Sequence, residues 1–222
     1  QDRHMESSVE NPSANAGAPS GYEELRAAPR FTLLIRSAKI ISSSGEFLCI
    51  VRDVSSSGVR LRLFHPLPPQ THVTLELASG EQFDVENVWE NEDHAGFRFI
   101  DEIDVHRFIA EASPYPRRQL RLRIDFPAIV TADGIASPVM VRDLSRQGAR
   151  IECDGLLAVG QKVKLEAKGL PTLISNVCWR SSPAYGLVFL QLFTFDELAR
   201  LAETLQVPDS ANRAKTAHPR SA

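Results

Sequence analysis

Histidine, cysteine and tryptophan are all scarce in this chain of 222 residues, which carries six, three and two of them. His4, His65, His72, His94, His106 and His218 are too scattered to pair at metal-ligand spacing. No C-x-x-C pair occurs, and Cys49, Cys153 and Cys178 each sit among apolar or strand-like neighbours. That usage reads as cysteine serving as a small hydrophobe in a reducing compartment. There is no nucleophile elbow, phosphate-binding G-x-x-x-x-G-K loop or dinucleotide fingerprint. An enzyme therefore has little to stand on, and neither a metal nor a cofactor is expected. No apolar run approaches the ~18 residues of a membrane helix; Phe47–Val51 is strand-sized. With no secretory leader to read, the expected location is cytoplasmic. A net charge of -3 argues against binding duplex DNA. Aromatics at 7 %, with none clustered beside the basic segments, argue against a single-stranded nucleic-acid platform.

Charge is nevertheless uneven. Arg26, Arg30, Arg36, Lys39, Arg52, Arg60 and Arg62 face only Glu46 and Asp53 across one segment. Seven arginines between Arg117 and Arg150 face only Asp125, Asp133 and Asp143 across another. Two basic segments in an acidic protein suggest an anionic partner held at defined places. The ends contribute nothing to a core. Gln1–His4 read as a vector-derived extension ahead of Met5, residues 1–22 as a disordered lead and 207–222 as a disordered tail.

Between the ends the chain repeats itself. Asp53-x-Ser55-x-x-Gly58-x-Arg60 returns as Asp143-x-Ser145-x-x-Gly148-x-Arg150, an offset of 90. Trp89 and Trp179, and the G-x-x-F runs starting at Gly96 and Gly186, share that offset. Two copies of one domain follow, 23–113 and 114–206, joined near Pro114-Tyr115-Pro116. Each copy is mainly β. Phe47–Asp53, Val59–Leu63 and Val73–Leu77 are matched by Pro138–Asp143, Gly148–Cys153 and Val163–Ala167, with Gly, Pro and Ser between them. Short strands at such spacing predict a small antiparallel barrel or sandwich. Each copy closes with an amphipathic helix, over Asp101–Ala112 in the first and behind a Thr194–Glu197 capping box in the second. The two tryptophans read as core or strand-packing residues.

Ahead of each copy's first strand stands R-x-x-x-R, as Arg26/Arg30 and Arg117/Arg121, with Arg118 doubling the second pair. Two arginines on a mobile lead-in can fold over a ligand held on a barrel. Guanidinium groups chelate phosphate through paired N–H donors and stack on a base. The carboxylates of Asp53 and Asp143 can accept from a purine N–H edge, and the Ser55 and Ser145 hydroxyls can donate or accept. Gly58 and Gly148 are expected to give the turn an unusual φ and to let a ligand approach the backbone. Taken alone, D-x-S is also what a turn uses when Asp and Ser cap their own backbone.

The paired motifs resemble the PilZ domain family, which binds the bacterial second messenger cyclic di-GMP. The resemblance covers Glu23 to Gln206 and implies two tandem six-stranded antiparallel barrels, each with a C-terminal helix. It implies that Arg117, Arg118 and Arg121 clamp phosphates and stack on guanine, with Asp143, Ser145 and Gly148 as the barrel-side half. Arg26, Arg30, Asp53, Ser55 and Gly58 correspond in the first copy, where Ala27 replaces the doubled arginine and Glu23 and Glu24 oppose an anion. The implied role is a receptor whose ligand-driven closure alters domain arrangement or a protein partner, acting on motility, biofilm or exopolysaccharide. The rival is an interaction module whose arginines meet an acidic protein and no nucleotide.

Overall fold

Strict alternation of apolar and polar residues is what lets these strands close on themselves. Along Arg121–Ala132, Leu122, Ile124, Phe126, Ala128 and Val130 are buried while the residues between them are exposed. With side chains of successive residues on opposite faces, such a strand offers one dry face and one wet face. The computed structural model describes residues 31–67, 69–110 and 119–206. The expected disordered ends and the Pro114–Pro116 linker lie outside the described residues.

The first copy contains β1 (Phe31–Ser42), β2 (Gly45–Val54), β3 (Gly58–Arg62), β4 (His72–Leu77), β5 (Gln82–Glu90) and β6 (His94–Phe99). They close in the order β1-β2-β3-β6-β5-β4, with β4 returning to pair antiparallel with β1. The second contains β7 (Arg121–Ala132), β8 (Ile135–Ser145), β9 (Gly148–Glu152), β10 (Lys162–Glu166), β11 (Leu173–Ser181) and β12 (Ala184–Phe189). Its order, β10-β11-β12-β9-β8-β7, repeats the same topology. The expectation of two six-stranded antiparallel barrels is met, and closure leaves no free sheet edge. Each barrel has its own core, with Leu61, Leu75, Val85 and Phe97 in the first and Leu122, Ile151, Leu165 and Val177 in the second. Burying each such side chain contributes about 1.5–3 kcal/mol.

The helices differ. After the first barrel α1 is described over Val105–Ala110, with 111–112 of the expected helix outside the described residues; its start is set by Asp104, whose carboxylate accepts from the His106 and Arg107 amides (2.9 and 3.2 Å). The helix expected from Asp101 therefore begins four residues later, because Asp104 is the N-cap. After the second barrel α2 (Phe195–Gln206) opens on the expected box. Thr194 N–H donates to Glu197 at 2.7 Å, and Glu197 N–H donates to Thr194 Oγ1 at 3.2 Å. The Thr194 backbone bond, then the Thr194 hydroxyl, holds the Glu197 carboxyl below the usual carboxylate range. Among the described residues no helix is long and apolar enough to cross a membrane.

β2 breaks the alternation. Phe47 to Val51 are all buried, Cys49 and Val51 in the first core and Leu48 in the second. A strand dry on both faces has something packed on each, and here α2 and β7 cover the outer one. Phe64 meets Phe195 at 5.5 Å, and the Gln206 carboxamide brackets Glu46, accepting from its N–H and donating to its carbonyl at 2.8 Å each. Gly45, at φ +136°, makes room for that carboxamide; a Cβ there would lie 2.2 Å from Gln206 Oε1.

Candidate functional site

The D-x-S-x-x-G segment is the end of one strand, a tight turn and the start of the next, in both barrels. The serine closes the turn. Ser145 Oγ donates to the Gly148 carbonyl (3.0 Å) and accepts from the Gly148 N–H (3.2 Å). Ser55 makes the same pair with Gly58 at 3.3 and 3.2 Å. Both serines are buried, so their hydroxyls latch the turn.

Neither motif glycine has a positive φ; the described glycines that do are Gly45, Gly80, Gly134, Gly160 and Gly169. The expectation of an unusual φ at Gly58 and Gly148 is therefore corrected. What demands glycine is the neighbouring strand. A Cβ at Gly148 would stand 2.1 Å from the Leu187 carbonyl oxygen, and one at Gly58 would stand 2.9 Å from that of Phe97.

The aspartates do not cap their own backbone. Asp143 Oδ1 accepts from Arg121 Nη1 at 2.5 Å, which brings together two motifs 22 residues apart. Asp53 instead pairs with Arg60, its register partner on β3, and accepts from Thr32 Oγ1 at 2.8 Å. Asp143 also lies opposite Arg150 in register, yet the Arg150 guanidinium reaches Glu152 at 3.6 Å. Opposite Asp143 on the preceding strand stands Arg123; opposite Asp53 stands Thr32. Among the described residues, the second barrel thus gathers more arginine around its aspartate. Arg26, Arg30, Arg117 and Arg118 lie outside the described residues.

A cavity opens beside each turn. That of the second barrel, about 360 Å³, is lined by Gln119, Arg121, Ser145, Gly148, Cys178 and Val188 among others. That of the first, about 240 Å³, is lined by Asp53, Ser55, Gly58, Arg60, Trp89 and Arg98 among others. Of the two readings of the tryptophans, core or strand-packing, the structure gives strand-packing: Trp89 and Trp179 are 43 % and 41 % exposed and lie over Gly96 and Gly186 of the neighbouring strands, where a Cβ would come 2.1 and 2.0 Å from the indole nitrogen, and Trp89 also lines the first cavity. The shared Trp-to-Gly spacing was the available signal. Cys178 is exposed and faces the second cavity, whereas Cys49 and Cys153 are buried as expected. Burial pushes the Cys49 thiol far up. Among the described residues no group of three His, Cys, Asp or Glu could hold a metal ion.

The PilZ domain family profile matches residues 24–111 and again 115–203. The chain belongs to the PilZ domain family, twice over. Solved structures similar to this tandem PilZ chain include Borreliella burgdorferi PlzA in complex with c-di-GMP, at 10 % identity and TM-score 0.32, covering 78 % of this chain and 88 % of that one. Bacillus subtilis MotI/DgrA, an inhibitor of motility, matches at 11 % identity and TM-score 0.32, covering 84 % and 100 %. Escherichia coli YcgR in complex with c-di-GMP matches at 12 % and 0.28, covering 81 % and 85 %. No curated relative matches the chain.

Proposed function

We infer that this protein is a cytoplasmic receptor for cyclic di-GMP and not an enzyme, built of two PilZ domains over 23–113 and 114–206. The observation that carries the reading is that Arg121 lines an open cavity together with Ser145 and Gly148 and pairs with Asp143, which unites R-x-x-x-R with D-x-S-x-x-G. A bis-purine diester suits that pair. Its phosphate can take the guanidinium from Asp143, and a purine N–H edge can take the carboxylate in exchange, so neither charge is left unpaired. Arg117 and Arg118, two residues and one residue ahead of Gln119 in the cavity wall, would close over the ligand. Ser145 and Gly148 contribute the turn that presents Asp143. In the first domain Arg26, Arg30, Asp53, Ser55 and Gly58 form the matching set, with Trp89 as a flat wall. Asp53 already has Arg60 and Thr32, so this site takes ligand more weakly. Closure of the arginine segments alters domain arrangement or the surface offered to a downstream protein, and through it motility, biofilm or exopolysaccharide.

Isothermal titration with cyclic di-GMP tests this, run beside Arg118→Ala/Arg121→Ala and Arg30→Ala. Binding at micromolar concentration or tighter, lost from the second site in the double variant, is expected. No heat and no thermal shift at millimolar ligand would overturn the receptor reading and leave the interaction module.

A further inference from the structure

Lys39 and Glu46 are the most buried charged residues among those described, at 3 % and 5 % exposed. Their place in the fold makes this unexpected. They stand on β1 and β2, at positions that point away from the first barrel's core, between residues such as Ala38 and Ile40 that point into it. The second domain is what covers them. Lys39 Nζ donates to Glu46 Oε2 at 2.7 Å, contacts Glu76 at 3.1 Å, and donates to the Arg121 carbonyl at 3.0 Å. Glu46 Oε2 accepts in turn from the Arg123 backbone N–H at 3.0 Å. The two charges of the first barrel therefore grip the main chain of β7 on both sides of Leu122, at the residue whose guanidinium pairs with Asp143.

The repeat supplies an internal control. Lys39 lies opposite Glu76 on β4, and its counterpart Ile129 lies opposite Glu166 on β10. Ala136 stands 90 residues after Glu46. The second barrel carries no charged pair at these positions, and Ile129 is 41 % exposed. The charged pair belongs to the barrel that has a β7 to hold.

Taking two charges out of water is unfavourable unless their remaining hydrogen-bonding capacity is met. Here the Arg121 carbonyl and the Arg123 amide meet it, so the pair specifies where β7 begins. We propose that Lys39 and Glu46 are positioning residues for the second ligand site, holding the Arg121 backbone so that its guanidinium is set over Asp143 before ligand arrives. The first domain is then part of the second domain's site.

The test uses the full chain in two arms. The first is amide hydrogen exchange in ligand-free protein, comparing wild type with Lys39→Met, with Glu46→Gln, and with Glu76→Gln, which leaves both contacts to β7 in place. Exchange at Arg123 should quicken about tenfold in the first two variants, since Lys39→Met removes the charged donor to the Arg121 carbonyl and Glu46→Gln takes the charge from the acceptor of the Arg123 amide, and stay unchanged in the third. The matched segment 163–166 should keep its protection in all. Glu46→Gln preserves size and an acceptor, so it keeps the test open if Lys39→Met fails to fold. Unchanged exchange at Arg123 in a folded variant overturns the proposal. The second arm rests on the ligand reading above: cyclic di-GMP is titrated into each variant carrying Asp53→Ala, then into each carrying Asp143→Ala. Affinity at the second site should fall about tenfold while the first is unmoved. Weakening of the first site alone would show that the pair merely supports its own barrel. Wild type that takes no ligand would refute the receptor reading and leave the exchange arm to decide positioning.

Discussion

Replacing Gly148 with alanine separates what the motif glycine does for the barrel from what it does for a ligand. The new Cβ would stand 2.1 Å from the Leu187 carbonyl oxygen on β12, where real Cβ atoms essentially never come within 3.0 Å. β9 and β12 are joined through Gly148↔Val188 and Leu187↔Ala149, so the strands must part by about 1 Å along a hydrogen-bonded ladder. Overpacking of that kind costs about 2–3 kcal/mol, which for a chain of this size lowers Tm by roughly 5–10 °C. The same change at Gly58 meets Phe97 O at 2.9 Å. A shift of a few tenths of an ångström is needed there, and the cost should be about 1 kcal/mol, below that at Gly148. The chain's two tryptophans fall one in each barrel. Trp89→Phe leaves Trp179 as the fluorescent reporter of the second barrel, and Trp179→Phe leaves Trp89 for the first. Urea unfolding of Gly148→Ala and Gly58→Ala in these backgrounds should show a large fall for the former and a small one for the latter. A Gly148→Ala protein that unfolds at the parent midpoint yet has lost cyclic di-GMP would refute the reasoning and assign the glycine to the ligand.

Two further outcomes are expected. Ser175 is fully buried and its hydroxyl finds no hydrogen-bond partner among the described residues, while Val85 stands at the matched position of the first barrel, each opposite a phenylalanine. Ser175→Val should therefore stabilise the protein by about 1–2 kcal/mol in calorimetry, and a fall in Tm would show that the hydroxyl is satisfied. Cys178 is the exposed thiol that faces the second cavity, so a maleimide should label it first in native protein and cyclic di-GMP should slow the labelling; an unchanged rate at saturating ligand would place the ligand elsewhere.

Much of the architecture was legible because it is written twice. The offset of 90 carries the D-x-S-x-x-G turns, the tryptophans and the strand alternation together, and barrel closure follows from six short half-wet strands in each copy. What stayed hidden depends on which groups meet in space. Motif identity made Asp53 and Asp143 equivalents, but among the described residues the first is held by Arg60 and Thr32 and the second by Arg121. The glycines were legible as necessary and misread as to cause, since a close carbonyl on another strand leaves no local mark. Cys178 looked like its two buried fellows because alternation cannot tell which face of β11 is covered.

The deepest of these hidden features is also the one that breaks the symmetry of the repeat. A lysine on one strand and a glutamate on the next look in sequence like ordinary wet-face residues, and in an isolated barrel water would satisfy them. Against β7 they are dry, and their hydrogen bonds run to the main chain of the other domain. Alongside them Leu48 of β2 enters the second core and Gln206 of α2 returns to bracket Glu46. Each of these contacts joins a residue of the first copy to β7, the second core or α2, and among them is the residue that reaches Asp143. No motif residue is lost from either copy, yet one barrel holds the strand on which the other's Arg121 stands.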